Sequence, residues 1–332
     1  MADDMRLAIL GAGHVGATAA YALMLRALVD EIVLIDSDVA LARAEAADLS
    51  DANALARPAL IWAGGYKDAA SADIAIITAG TATHGAETRL SVASRSARII
   101  EACVDSLVSA GFGGIILVAA NPVDLMSFVA HRRSNFAAAR VIGTGTLLDS
   151  SRLRQAIAEC LAIAPTAVDA LVLGEHGDSE LAAFSTVRVG GMALAAFATE
   201  AGLALDNAAI AAGVRTAGYD IIAGKDYTSW GIATAIVRIC EAIIRDEHAV
   251  LPVSTMLTGQ YGIAGLYMSL PCVLGRAGVE RVLTPELNGD ELGALSRSGE
   301  AIRNALEMLD RADPGLPATP IHSMSAIVAP VG

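Results

Sequence analysis

His176 is a candidate for proton transfer, because imidazole is the side chain that gains and loses a proton near neutral pH. It lies in the segment GEHGDS (174–179), where glycines flank it directly after a strand-like run. A histidine in such a turn could act as an acid or a base on a bound ligand. Most loop histidines have no such role, so the position alone does not decide between the two interpretations.

Asp149 and Arg152 lie three residues apart in GTGTLLDSSR, where a helix begins near Thr146. This spacing places both side chains on one face of the helix. Nearly all basic residues are arginines, with Lys67 and Lys225 as the only lysines. Arginine is suited to planar, bidentate recognition of a carboxylate. The aspartate also fits a capping box with Thr146, in which it would only stabilise the first helical turn, so both interpretations remain open.

Arg89 begins a helical segment after the small-residue loop TAGTATHGAET (78–88). Thr83 and His84 lie at the tip of this loop, and Arg89 lies at its hinge. Asn121, in the segment NPVD, ends another strand-like run. A loop that closes over a ligand could deliver Arg89 to it.

GAGHVG follows a strand-like run and opens a helix, the context in which this glycine pattern binds a dinucleotide. Gly11, Gly13 and Gly16 would permit a tight turn and the close approach of a pyrophosphate to a helix N-terminus. Asp36 ends the next strand, 20 residues after Gly16. Its carboxylate would accept hydrogen bonds from a ribose diol and repel a 2′-phosphate, which favours NAD over NADP. The alternative is that Asp36 only caps the following helix.

The first half of the chain alternates apolar runs with helical patterns, which is typical of a parallel sheet covered on both faces. The predicted strands are RLAIL (6–10), EIVLID (31–36), ALIWA (59–63), DIAIIT (73–78), GIILVAA (114–120) and VIG (141–143). After Arg89, three- and four-residue spacing predicts a helix with a buried apolar stripe. This stripe consists of Ala93, Ala97, Ile100, Val104 and Leu107.

The pattern changes from about residue 144 onward. We predict a helix over 147–162, a strand VDALVLG (168–174), a hairpin FSTVRVGGMAL (184–194) and then long helical stretches.

We therefore place a domain boundary near residue 143, which gives domains over 1–143 and 144–310. A helix after this boundary can still pack back on the first domain. The proline-punctuated tail, 311–332, is either an arm that packs on a neighbour or a loose end.

Composition excludes several classes of protein. A net charge of −13, from 36 acidic and 23 basic residues, argues against a nucleic-acid partner. The longest strongly apolar stretch is too short to cross a bilayer, and the acidic start lacks the pattern of a secretory signal. We expect a cytoplasmic protein with no membrane partner. The four cysteines are far apart and form no CxxC pair, so we expect buried thiols and no metal site.

Further segments accompany these motifs in a fixed order: LID ending at Asp36, TAG then ETRL, NPVD, YTSWG and HAVLPVSTM. Taken together, residues 5–310 resemble the L-lactate and L-malate dehydrogenase family, and GTGTLLDSSR resembles its lactate dehydrogenase branch. The resemblance implies a Rossmann-type doubly wound parallel sheet that binds NAD, followed by a mixed α/β substrate domain. It also implies a homodimer or homotetramer. Val15, Thr78, Ala79, Gly80 and Asn121 would join the glycines and Asp36 in the cofactor site.

The resemblance also implies roles for the candidate residues. His176 corresponds to the family's proton-transfer histidine and Asp149 to its partner carboxylate, which would fix the imidazole tautomer and raise its pKa. Arg152 corresponds to the arginine that binds the substrate carboxylate through two hydrogen bonds. Arg89 corresponds to the loop arginine that polarises the carbonyl group. Asn121 would help to orient substrate and nicotinamide.

Three positions bear on the choice of substrate. Malate dehydrogenases place arginine at the position of Thr83, and lactate dehydrogenases commonly place glutamine. A second carboxylate would be buried there without a partner, at a cost of roughly several kcal/mol, so malate is disfavoured. Gly218 stands where lactate dehydrogenases usually have alanine, and glycine inside a helix costs roughly 1 kcal/mol relative to alanine. Thr228 would line the pocket, unless it is only a helix N-cap.

We therefore expect an L-2-hydroxyacid dehydrogenase that accepts pyruvate or a bulkier branched or aromatic 2-oxo acid. If the changes at Thr83 and Gly218 are neutral, the substrate would be pyruvate. Two rival hypotheses remain, namely a malate dehydrogenase with an atypical loop and a catalytically silent nucleotide-binding protein on the same fold.

Overall fold

A computed structural model of the chain describes residues 5–56, 59–81 and 89–312, except for the side chains of 89–91. Its first half alternates strands and helices. These elements are β1 (Arg6–Leu10), α1 (His14–Arg26), β2 (Glu31–Ile35), α2 (Val39–Asn53), β3 (Leu60–Ala63), α3 (Tyr66–Ala69), β4 (Ile74–Ile77), α4 (Arg89–Ala110), β5 (Ile115–Val118), α5 (Val123–Ser134) and β6 (Val141–Gly143).

The second half contains more, and shorter, strands. Its elements are α6 (Leu147–Leu161), β7 (Val168–Asp169), β8 (Val172–Leu173), β9 (Leu181–Ala182), β10 (Arg188–Val189), β11 (Met192–Ala193), α7 (Leu194–Glu200), α8 (Asn207–Lys225), α9 (Trp230–Ile244), β12 (Ala249–Thr258), β13 (Ala264–Gly275), β14 (Gly278–Val282) and α10 (Gly289–Ala312).

The first six strands pair in parallel in the order β6-β5-β4-β1-β2-β3. This is the strand order of a doubly wound nucleotide-binding sheet, in which the chain reverses direction across the sheet between β1 and β4. The predicted α/β fold with a parallel sheet is confirmed. The predicted strands over 6–10 and 141–143 have the observed bounds, and the other four contain the observed strands.

The sheet has a core on each face because alternate side chains of a strand point to opposite sides. In β1, Leu7 and Ile9 belong to one buried cluster, whereas Ala8 and Leu10 belong to another. The predicted stripe of α4 is buried in the second of these clusters, except for Ala93, which is buried but belongs to none of the described clusters. A third apolar cluster lies between α6, α8 and the short strands of the second half.

The prediction of long helical stretches after the hairpin was wrong for residues 249–282. There β12, β13 and β14 form an antiparallel ribbon. Pro252 and Pro271 stand opposite each other in β12 and β13. Proline normally argues against a strand interior because it cannot donate a ladder hydrogen bond. Two facing prolines can be tolerated where the pair needs no hydrogen bond between its members.

The ribbon also extends the first sheet, since β12 joins β6 through the pair Ser254 and Gly143. Nine strands of the described residues thus form one sheet, which continues across the predicted boundary near residue 143. In addition, α9 packs beside α1 on the same face of the sheet. The division into 1–143 and 144–310 therefore remains a prediction, and most of the tail 311–332 lies outside the described residues.

The predicted strand over 168–174 is two strands. The chain changes partners within it, because β7 pairs with β10 whereas β8 pairs with β9. The predicted hairpin is confirmed by the antiparallel pairing of β10 and β11. Gly190 and Gly191 have φ angles of 56° and 86°, as a tight two-residue hairpin turn requires at both central positions.

Three of the predicted buried cysteines are buried, but Cys160 is exposed. The helical period explains the difference, because Ile157 and Leu161 of α6 face the core and Cys160 points away from it. Among the helices of the described residues, none combines the length and apolar character needed to cross a membrane.

Replacing Ile236 with alanine tests the packing of α9 against the sheet. Ile236 is fully buried, so the cavity should lower the free energy of unfolding by about 2–5 kcal/mol, as measured by urea denaturation. Thr234→Ala, at an exposed position on the same helix, is the matched control and should change stability by less than about 1 kcal/mol. Equal effects of the two substitutions would contradict the packing described for α9.

Candidate active site

The turn between β1 and α1 depends on two of its three glycines. Gly11 has a φ of 108°, and a Cβ atom there would lie 2.7 Å from the Ala79 nitrogen. A Cβ atom at Gly16 would lie 1.8 Å from the Gly11 carbonyl oxygen, so only glycine fits. A Cβ atom at Gly13 would meet nothing within 4 Å. The backbone of the turn is therefore tightly packed at Gly11 and Gly16, whereas there is free space beside Gly13. At Gly13, α1 begins without a side-chain cap hydrogen bond.

Asp36 braces this turn from the end of β2. Its Oδ2 accepts a hydrogen bond from the Ala12 backbone N–H at 2.6 Å, and its Oδ1 accepts one from the Asp38 N–H at 2.9 Å. The N-cap of α2 is Asp38, whose carboxylate accepts from the N–H groups of Ala40 and Leu41. Asp36 is therefore not the helix cap that the alternative interpretation required.

A cavity of about 530 Å³ lies at this end of the sheet. The predicted cofactor residues that line it are Gly11, Gly13, Asp36, Thr78, Ala79 and Gly80. An open helix N-terminus and a carboxylate at the end of the second strand fit the pyrophosphate and the ribose of a dinucleotide. Gly16 packs beneath the turn. Val15 and Asn121 line a neighbouring cavity.

The neighbouring cavity, of about 350 Å³, contains the candidate catalytic residues. His176 Nδ1 lies 2.6 Å from Asp149 Oδ2, and Arg152 Nη1 donates to Asp149 Oδ1 at 2.8 Å. The carboxylate is 2% exposed and thus bridges an imidazole and a guanidinium. The hydrogen bond at Nδ1 leaves Nε2 as the nitrogen available for proton exchange.

The capping-box interpretation of Asp149 is not what the structure shows. Thr146 is the N-cap residue of α6, but its side chain makes no cap hydrogen bond. Its hydroxyl donates instead to the Val172 carbonyl oxygen at 2.5 Å, which ties α6 to β8. Asp149 therefore faces the cavity, and its carboxylate is committed to His176 and Arg152.

The charges of this cluster favour a protonated imidazole. Burial alone would lower the pKa of His176, but the charge and hydrogen bond of Asp149, with the charge of buried Asp124, raise it to about 9. Burial alone would likewise raise the pKa of Asp149, but the charges of His176 and Arg152 outweigh it and hold that pKa below its usual range. The result is an imidazolium–carboxylate pair at neutral pH.

Asp124 is a part of the site that the sequence reasoning missed. Its carboxylate is 1% exposed, and Oδ2 accepts from the His176 backbone N–H at 2.8 Å. Oδ1 accepts from the Ser254 hydroxyl at 2.5 Å, so Asp124 joins α5 and β12 to the His176 loop. Burial, only partly offset by these hydrogen bonds, raises its pKa to about 6. An acidic residue within the apolar first turn of α5, in NPVD, was the available signal.

Thr228 and Gly218 line the same cavity as His176. The N-cap of α9 is Ser229, so Thr228 is not the cap that was its alternative interpretation. A Cβ atom at Gly218 would lie 3.8 Å from Arg152 Nη2, which is ordinary contact. An alanine would therefore fit at this position, and the glycine leaves space directly beside the arginine.

Two of the predicted site residues are Arg89, at the start of α4, and Thr83, in the segment before it. The backbone of α4 begins at Arg89, as predicted, but its side chain lies outside the described residues. Thr83 lies wholly outside them.

Comparison with known protein families gives two matches that together cover most of the chain. A family model described as the lactate/malate dehydrogenase NAD binding domain matches residues 5–143. A second, described as the lactate/malate dehydrogenase alpha/beta C-terminal domain, matches residues 146–311.

Curated relatives and solved structures agree with these matches. The chain is 42% identical to an L-lactate dehydrogenase of Thermus aquaticus over 308 residues, covering 92% of this chain and 99% of the relative. It is 40% identical to one from Clostridium botulinum over 307 residues, covering 92% and 96%.

A lactate dehydrogenase from a Medee basin deep-sea metagenome library has a similar structure, with a TM-score of 0.90 and 38% identity. That likeness covers 92% of this chain and 99% of the other. The ligand-bound minor L-lactate dehydrogenase of Enterococcus mundtii gives a TM-score of 0.89 at 35% identity, covering 92% and 98%. The chain belongs to the lactate/malate dehydrogenase family, whose members are NAD-dependent oxidoreductases acting on 2-hydroxy acids.

Proposed function

We propose that this protein is an L-2-hydroxyacid dehydrogenase of the L-lactate dehydrogenase type, which interconverts a 2-oxo acid and its 2-hydroxy acid. The observation that carries the proposal is the bridge from His176 through Asp149 to Arg152 in one cavity. The cavity beside it fits NAD, and the two meet at the start of α1, where Gly13 lines one and Val15 the other.

Proton transfer is assigned to His176. In the direction of reduction, its imidazolium donates the Nε2 proton to the carbonyl oxygen of the 2-oxo acid. In the direction of oxidation, the neutral imidazole accepts the hydroxyl proton. Asp149 holds the ring through Nδ1 and stabilises its charge, and Asp124 holds the backbone of the same residue.

Substrate binding is assigned to Arg152. One of its N–H groups is bonded to Asp149, which fixes the guanidinium, while Nη2 faces the space beside Gly218. Two parallel hydrogen bonds from a guanidinium would fix both oxygens of a substrate carboxylate. The carbonyl group would then be held beside His176, and Asn121 and Thr228, which line the same cavity, would complete the binding site.

When bound, NADH supplies the hydride for this reaction. The turn of Gly11, Gly13 and Gly16 would hold its pyrophosphate, and Asp36 a ribose. By family resemblance, Arg89 polarises the substrate carbonyl when its loop closes, and Thr83 faces the substrate side chain.

The assembly that we propose is a homodimer or a homotetramer. The family resemblance supports it, and two large apolar side chains outside the cavity of His176, Ile221 of α8 and Trp230 of α9, are 42% and 66% exposed. Surfaces of this kind commonly lie in contacts between subunits.

Replacing His176 with glutamine tests the proton-transfer role. We expect turnover with a 2-oxo acid to fall by about 100- to 10,000-fold, because general acid catalysis is lost. The dissociation constant of NADH, measured by fluorescence titration, should change little. Loss of NADH binding would show that His176 has been assigned the wrong role.

The pH dependence of the reaction tests the imidazolium–carboxylate pair. The pKa of His176 is raised to about 9, so reduction should be supported below that pH and lost as the pH rises through it, whereas oxidation should increase. Asp149→Asn removes the charge that raises the pKa, so the alkaline limb for reduction should move to lower pH. The control is Asp169→Asn, whose carboxylate is 76% exposed and pairs with Arg154. An unmoved limb in Asp149→Asn would contradict the assignment.

A panel of 2-oxo acids tests the pocket. We expect kcat/KM to be higher for 2-oxoisocaproate and phenylpyruvate than for pyruvate, and lowest for oxaloacetate. Gly218→Ala, which adds a methyl group beside Arg152, should lower kcat/KM for phenylpyruvate about tenfold more than for pyruvate. Gly213→Ala, on the same helix where a Cβ meets nothing within 4 Å, is the control. A preference for pyruvate would indicate an ordinary lactate dehydrogenase, and one for oxaloacetate a malate dehydrogenase.

A further inference from the structure

Glu180 is a second buried carboxyl group in the cavity of His176. It lies four residues after His176, immediately before β9, and is 8% exposed. Its backbone N–H donates to the Gly177 carbonyl oxygen, but within the described part of the chain its carboxyl group makes no hydrogen bond. A carboxyl group with so little exposure to water is costly to ionise unless charges of opposite sign lie near it, so the groups around Glu180 decide its charge.

The geometry places Glu180 beside the catalytic pair. One carboxylate oxygen of Asp149, one carboxylate oxygen of Glu180 and one ring nitrogen of His176 all lie within 4.8 Å of one another. Two carboxyl groups therefore approach one imidazole. Asp149 makes the hydrogen bond to it, whereas Glu180 acts on it only through space.

The surrounding charges determine when Glu180 is ionised. Burial raises its pKa to about 7, and the charge of Asp149 adds to this, while the charges of His176, Arg215 and Arg152 oppose it. Asp124, Glu175 and Asp178 are further acidic groups near His176. Glu180 is thus neutral in mildly acidic solution and anionic in alkaline solution, where the His176 imidazolium would lose its proton.

We propose that Glu180 is a positioning residue that acts through His176, its carboxylate holding the imidazole protonated in alkaline solution. The inference rests on the proposed function for its catalytic consequence, since reduction needs the imidazolium form. It adds a second carboxylate to the one supplied by Asp149. A negative charge at this distance makes removal of the proton from His176 more difficult. Glu180 thereby extends the pH range in which the enzyme reduces a 2-oxo acid.

The first test measures His176 itself. We expect Glu180→Gln, which removes the charge and keeps the shape, to lower the pKa of His176 by about 0.5 to 1 unit. The measurement is an NMR titration of the imidazole C–H resonances, assigned by comparison with His176→Gln. The matched control is Glu159→Gln, an exposed glutamate on α6 that is bonded to Gln155 and should leave the titration unchanged.

The second test measures catalysis. In Glu180→Gln, the alkaline limb of kcat/KM for the preferred 2-oxo acid should move to lower pH by the same amount, so that the ratio of variant to parent activity falls as the pH rises. Binding of oxamate, an unreactive isostere of pyruvate, to the enzyme–NADH complex should show the same shift. A merely structural role would lower activity equally at every pH.

The outcomes separate the two proposals. An unchanged His176 titration in folded Glu180→Gln would overturn the role of Glu180. If the parent enzyme reduced no 2-oxo acid, the proposed function would fail, and the NMR titration would still decide the effect of Glu180 on His176. Should Glu180→Gln not fold, Glu180→Met removes the charge and keeps much of the volume, and we expect the same decrease in the pKa of His176. An unchanged titration in that variant would likewise overturn the role.

Discussion

The bridge that Asp149 makes between His176 and Arg152 is the interaction on which the architecture of the site depends. A carboxylate that is 2% exposed is stable only when cations and hydrogen bonds replace its water. Arg152 satisfies it from the same helix, three residues away, but His176 must be brought from a different segment. Several elements serve that purpose. Thr146 ties α6 to β8, and Asp124 joins the backbone of His176 to Ser254 of β12.

The parallel sheet determines where this bridge can act. The turn of Gly11 and Gly16 sits where the strand order reverses, between β1 and β4, and parallel sheets offer their binding crevice at that point. The start of α1 then separates the cofactor cavity from the cavity of His176. The cavity assigned to the cofactor and the cavity of His176 therefore lie on either side of one turn of backbone, and close packing at Gly16 leaves that turn little freedom.

Much of this arrangement could be predicted from the sequence, because some residue patterns are compatible with only one kind of local structure. Continuous apolar runs gave β1 and β6, helical periodicity gave the buried stripe of α4, and the three-residue spacing placed Asp149 beside Arg152. An apolar run does not show where a strand changes partners, so the sequence predicts one strand over 168–174 where the structure has β7 and β8. Pro252 and Pro271 argue against strands when the sequence is considered alone, although they lie within β12 and β13. The cost of a proline in a strand depends on which residue stands opposite it, and the sequence does not show that residue. Asp124 was missed because its hydrogen bonds join segments that are distant in sequence.

The continuity of the sheet through Gly143 and Ser254 limits how this enzyme can move. With β12 joined to β6 and α9 packed beside α1, a rigid-body rotation between the two halves of the chain would break backbone pairing and expose apolar surface. Hinge bending of whole lobes, which many two-lobed enzymes use to admit and release ligands, is therefore opposed by these contacts. A local rearrangement at the rim of the cavity, in contrast, would leave the pairing of β12 with β6 intact.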